Sequence, residues 1–223
     1  MSNLLNAILK WSEVWALLIP LTILITLRHR MKGMRIIIFY VFIALFLNMS
    51  ATLISQFHKQ LPADFRNNNL FYNLHSIFRV LLFGWFILNL KLFQSFWLPK
   101  IVLPVYFIFL LINFIFFENL MELSTPLFTA ESIVLLVLSL FFFIKSMQDE
   151  SEINWLKHPS FLVCTGIILY EALSFFIFLF FYPLFDKNPE FGLLTMKIFS
   201  FSYIILCILL ALALRRSCKR LIT

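Results

Sequence analysis

Of the chain's 223 residues, 62% are hydrophobic and only 13% are charged, and the mean hydropathy is +0.95. A soluble domain runs to about half apolar and about a quarter charged, so a soluble globular fold is excluded and lipid is the solvent for most of the chain. The net charge of +7 lies mainly between apolar runs. There it acts as an orientation signal and a contact with anionic lipid, not as a nucleic-acid footprint.

A helix needs about 20 apolar residues to cross the hydrocarbon core. Seven runs approach that length: 13–27, 36–57, 69–90, 101–117, 123–144, 159–181 and 191–214. None alternates with a period of two, and backbone in lipid must bond within itself, so the runs are helices. The expected fold is all-α: one polytopic domain, a seven-transmembrane-helix bundle. A basic block at 28–35 follows the first run, which lacks a basic leader and a small-residue cleavage site. The first run is therefore a retained span and not a cleaved signal peptide.

Twelve of the 18 Lys and Arg residues fall in one set of loops: four in 28–35, then Lys91, Lys100, Lys145 and Lys157, then four in 215–220. Lys10, Lys59, Arg66 and Lys187 lie on the other side, and Arg79 and Lys197 lie inside runs. The positive-inside rule then puts the N-terminus outside and the C-terminus in the cytoplasm of a bacterial inner membrane. The 146–158 connection carries Asp149, Glu150 and Glu152 and reads as a solvated loop that could dock a partner. Cys164 and Cys207 sit inside apolar runs and Cys218 in the basic tail, so no disulfide framework is expected. The 30 Phe residues suit lipid-facing positions and by themselves mark no site.

Four ionisable side chains lie deep in the runs: Arg79, Glu131, Glu171 and Lys197. Each costs about 2.5–3.5 kcal/mol if left unpaired at mid-bilayer. Their charges cancel, and with the N-terminus outside all four fall roughly 10–15 Å from the outer helix ends at the α-helical rise. The expectation is one charged layer in the outer half. Tyr72, His75, Ser76 and Arg79 form one stripe at helical spacing, and Asn48, Thr52, Ser55 and Gln56 form another. Tyr170 precedes Glu171, and Lys197 and Ser200 are expected to share a face. The candidate ligand-binding set is Tyr72, His75, Arg79, Glu131, Tyr170, Glu171 and Lys197. The competing reading is a closed salt-bridge network that sets helix register.

Catalytic and cofactor readings are weaker. His75 has no HxxxH or HxxE partner, so a metal site with Glu131 and Glu171 is poorly supported. Lys197 lies too near the outer end for a retinal Schiff base, and Arg79 stands where a counter-ion carboxylate belongs. No nucleophile–base set marks an enzyme, and no cofactor is expected. The chain has only four Gly, few for the broken helices of a transporter.

The stretches 69–79 (NLFYNLHSIFR), 123–132 (LSTPLFTAES) and 156–170 (LKHPSFLVCTGIILY) resemble uncharacterised seven-helix integral membrane proteins of Bacteroidetes, often encoded near sensor histidine kinases. That resemblance implies a signalling role. The leading expectation is a receptor-like inner-membrane protein that binds a ligand in the outer half and signals through a separate cytoplasmic partner. The alternatives are a structural or accessory subunit of a membrane complex, and a small transporter or membrane enzyme.

Overall fold

The computed structural model describes residues 9, 11–26, 33–62, 66–93, 97–148, 157–180 and 189–219. The described elements form an all-α bundle of seven helices: α1 (Ser12–Thr26), α2 (Arg35–Phe57), α3 (Asn69–Leu88), α4 (Leu98–Ile112), α5 (Thr125–Gln148), α6 (Pro159–Leu179) and α7 (Pro189–Lys219). Six spans, α1 being the exception, are long and apolar enough to cross a membrane, and the protein is a multi-pass membrane protein. The acids of the 146–158 connection and most of the basic block at 28–35 lie outside the described residues.

Helix ends follow local chemistry. Pro159 opens α6, where its missing N–H leaves no bond unmade, and His158 caps that end by accepting from Ser160 N at 3.3 Å. Gly33 adopts a φ of +89° just before α2, a conformation that favours glycine. α4 does not stop at Ile112 but loosens into a π-helical turn, Asn113–Phe117, which brings it to the end expected for the fourth run. α1 differs from the others. Its 15 residues rise about 22 Å, short of the roughly 30 Å hydrocarbon core. α7 is longer than its predicted run at both ends, reaching Lys219.

The helices do not pack in simple sequence order. α1, α2, α3, α5, α6 and α7 form a closed ring, with α7 packed against both α6 and α1 and α3 against α5. α4 lies outside the ring against α3 and α5, and only 17% of its span is buried. Its outer face shows Ile101, Val105, Ile108, Leu111 and Ile115. Close approaches use glycine. A Cβ on Gly166 would sit 3.0 Å from Leu206 of α7, and one on Gly84 would sit 2.7 Å from Leu103 of α4. Small residues let membrane helices approach this closely.

The ring interior has two parts. The half nearer the starts of α2 and α6 is apolar and packed, with Ile37, Val41, Phe83, Leu138, Phe142 and Leu210 fully or almost fully buried. The half where α1, α3, α5 and α7 begin holds the buried charges and most of the buried polar groups, among them Asn48, His75, Ser76, Arg79, Glu131, Ser132 and Glu171. The chain segment between α4 and α5 folds over this polar end. Asn73, fully buried, donates to Leu120 O at 2.8 Å and to Glu122 O at 2.7 Å, and its Oδ1 accepts from Ser124 N at 3.4 Å. Asn67 and Asn69 both donate to Met121 O.

Candidate functional site

Arg79 projects from α3 into the ring interior. Its Nε donates to Glu131 Oε1 of α5 and lies 3.8 Å from Glu171 Oε1 of α6. All three residues are at most 2% exposed. Serines from neighbouring helices hold the carboxylates' other oxygens. Ser76 donates to Glu131 Oε2 at 2.6 Å, and Ser132 donates to Glu171 Oε2 at 2.9 Å. The guanidinium also sits over the Tyr170 ring, 4.7 Å from its centroid, a cation–π contact. Three helices are thereby tied at one point. At about 4 Å and an effective dielectric near 20, each such charge pair is worth about 4 kcal/mol before desolvation.

A partly open cavity of about 250 Å³ adjoins this knot. Arg79, His75, Tyr72 and Asn69 of α3 line one side, with Tyr170 and Phe178 of α6 and Met196, Phe199, Ser200 and Tyr203 of α7 opposite. Glu13 of α1, Phe128 of α5 and Leu123 complete it. Asn69, Glu13 and Leu123 lie at helix starts, so the cavity belongs to the polar end of the bundle. His75 lies between two tyrosines, stacked on Tyr40 with centroids 6.1 Å apart and edge-on to Tyr203 at 6.3 Å. Asn48 of α2 reaches across, donating to Tyr203 Oη at 3.1 Å and to the Glu13 backbone oxygen at 3.2 Å. Several buried polar atoms have no hydrogen-bond partner, among them His75 Nε2, Arg79 Nη1, Tyr40 Oη and Glu171 Oε1. Buried polar atoms are normally satisfied, so an unoccupied donor on a cavity-lining arginine is notable.

No protein-family model, curated protein or solved structure matches the chain. The site must therefore be read from its own chemistry.

Six of the seven residues expected from the sequence come together, in two roles. Tyr72, His75, Arg79 and Tyr170 line the cavity. Glu131 and Glu171 stand behind it and brace Arg79. The seventh, Lys197, is a correction. It is exposed and joins no ion pair with Glu131 or Glu171. The inward stripe of α7 is Met196, Phe199, Ser200 and Tyr203, spaced i, i+3, i+4 and i+7. One position from Met196 is a turn of about 100°, which carries Lys197 out of the ring. The expected face shared by Lys197 and Ser200 therefore does not form. The second-helix stripe also divides: Asn48 and Thr52 are buried, whereas Ser55 and Gln56 are exposed near the helix end.

The sequence reading missed Glu13 and Tyr203. Glu13 lies at the start of the first run and passes for an interfacial residue, yet it is half-buried and lines the cavity. Tyr203 lies on the same α7 stripe as Ser200 and could have been found by following the face of Ser200 instead of that of Lys197. Among the described residues no group of three or more His, Cys, Asp or Glu is placed to hold a metal ion.

Proposed function

We propose that this protein is a receptor-like sensory membrane protein that holds a small ligand in the cavity beside Arg79 and signals through a separate cytoplasmic protein. The observation that carries this reading is the pairing of a cavity with spare hydrogen-bonding capacity: His75 Nε2 and Arg79 Nη1 belong to lining residues, are buried and are unpartnered. A strut alone has no use for a cavity or for the tyrosines around it. The Lys and Arg distribution supports an external N-terminus in a bacterial inner membrane, which turns the cavity mouth outward. The resemblance noted in the sequence implies a signalling role, in keeping with a separate cytoplasmic partner.

The test is a thermal-stability screen of the purified protein against polar metabolites. A ligand that binds only the folded state stabilises it by about 2.7 kcal/mol at a hundred times its Kd. The expected result is a saturable rise in Tm for at least one compound class, abolished by filling the cavity with Ser200→Phe. Failure of every compound, with Ser200→Phe raising basal stability as a simple void-filler, overturns the reading.

A second reading, an accessory subunit of a membrane complex, draws on α4. That helix buries little of its surface within the chain, so its apolar face is free to pack on another membrane protein. Stoichiometric co-purification with such a protein, lost on placing Trp or Glu at Ile108, would favour it.

A further inference from the structure

One guanidinium stands against three carboxylates around the polar layer and pairs with two of them. Glu131 and Glu171 share Arg79 Nε. Glu13 lines the same cavity and joins no ion pair among the described residues. Lys197, the other cation expected in this layer, is exposed outside the cavity and does not offset them. With every group ionised, negative charge exceeds positive by two. The apolar wall of Phe128, Phe178 and Phe199 limits the water available to screen that excess.

This balance selects among ligands. An anion seated on Arg79 would enlarge the excess, because the guanidinium is already claimed by two carboxylates. A cation reduces it, and Tyr72 and Tyr203 among the lining residues supply aromatic rings of the kind that attract a positive group. Two buried, unpartnered atoms add a requirement. Arg79 Nη1 is a donor that needs an oxygen acceptor, and His75 Nε2 offers a second hydrogen-bonding position. A neutral hydroxyl or carbonyl oxygen satisfies Nη1 without adding charge.

Building on the receptor reading above, we propose that the cavity takes an organic ammonium ion that also carries a neutral hydroxyl or carbonyl oxygen. The ammonium sits beside Glu13, the oxygen accepts from Arg79 Nη1, and the apolar body lies against Phe128, Phe178 and Phe199. Glu131 and Glu171 touch no ligand. They are positioning residues that hold Arg79 and set the sign of the charge.

Three probes share one scaffold and differ only in charge: 2-amino-1-phenylethanol is a cation, 1-phenyl-1,2-ethanediol is neutral, and mandelate is an anion. Binding to the full chain in detergent at neutral pH is measured by equilibrium dialysis, with Tm as a second readout. The ammonium compound should bind at least about tenfold more tightly than the diol, a difference of about 1.4 kcal/mol, and mandelate should not bind. Glu13→Gln should remove the advantage of ammonium over diol, so that the two compounds bind the variant with similar affinity. If the diol or mandelate binds as tightly as the ammonium compound, the charge assignment is overturned while ligand binding stands. If none of the three binds, the ammonium assignment is overturned. The receptor reading itself falls only if the wider metabolite screen also yields no ligand.

Discussion

Arg79 is gripped by Glu131, Glu171 and the Tyr170 ring, and each contact comes from a different point on α5 or α6. Removing the cation leaves two carboxylates uncompensated in a buried site, a change that typically costs about 3–5 kcal/mol. Arg79→Ala should therefore lower Tm sharply in thermal unfolding, and adding Glu131→Gln to that variant should restore part of the loss. Lys197 supplies the contrast. It is exposed, so Lys197→Ala should change stability by less than about 0.5 kcal/mol. Comparable losses in the two variants would contradict the placement of both side chains. Asn73 is a third case, because its amide uses both donors and its oxygen to hold the α4–α5 connection. Asn73→Ala leaves those carbonyls unmet and should cost about 1–3 kcal/mol. Faster amide exchange at 118–124 should accompany the loss if the side chain pins that segment.

Helices in this bundle differ in how much of their surface the chain itself uses. α6 and α7 form the most extensive pair, and Gly166 permits their approach to Leu206 and Leu209. Gly166→Leu should push them apart at a cost of about 1–3 kcal/mol, the usual range for overpacking. On α4, Ile108 is 57% exposed, and Ile108→Ala should be close to neutral in the isolated protein. Parallel unfolding of the two variants in one detergent compares them directly. A destabilised Ile108→Ala would mean that the α4 face is covered by a second copy. α1 is short and carries Pro20 inside. Its place comes from packing on α7 and α2 and from the Asn48 bond to the Glu13 carbonyl.

The molecule is a ring of six helices with an apolar half, a charged half and one helix outside. This division gives it a direction, since the cavity beside Arg79 lies at the polar end. A reporter fused after Thr223 should be cytoplasmic and one inserted near Asp64 should be exported, as assayed by paired phosphatase and fluorescent-protein fusions. That outcome opens the cavity to the outside. The reverse pattern would open it to the cytoplasm and make its ligand an internal metabolite.

The seven helices and the partnership of Arg79 with the acids were legible in the sequence for a physical reason. The length of an apolar run measured against bilayer thickness is a local property, and an unpaired charge in lipid is costly wherever it lies. Rotation of each helix about its axis is not local. Core and lipid are both apolar here, so hydrophobicity separates inward from outward faces poorly. Only packing against neighbours decided that α7 turns Met196 inward and Lys197 outward, that α4 stands outside the ring, and that Glu13 faces the cavity. The same packing divided the predicted charge layer into a brace of Glu131 and Glu171 behind Arg79 and a cavity in front of it. A step of one residue turns a side chain by about 100°, so an angle set by tertiary contacts determined which charges meet.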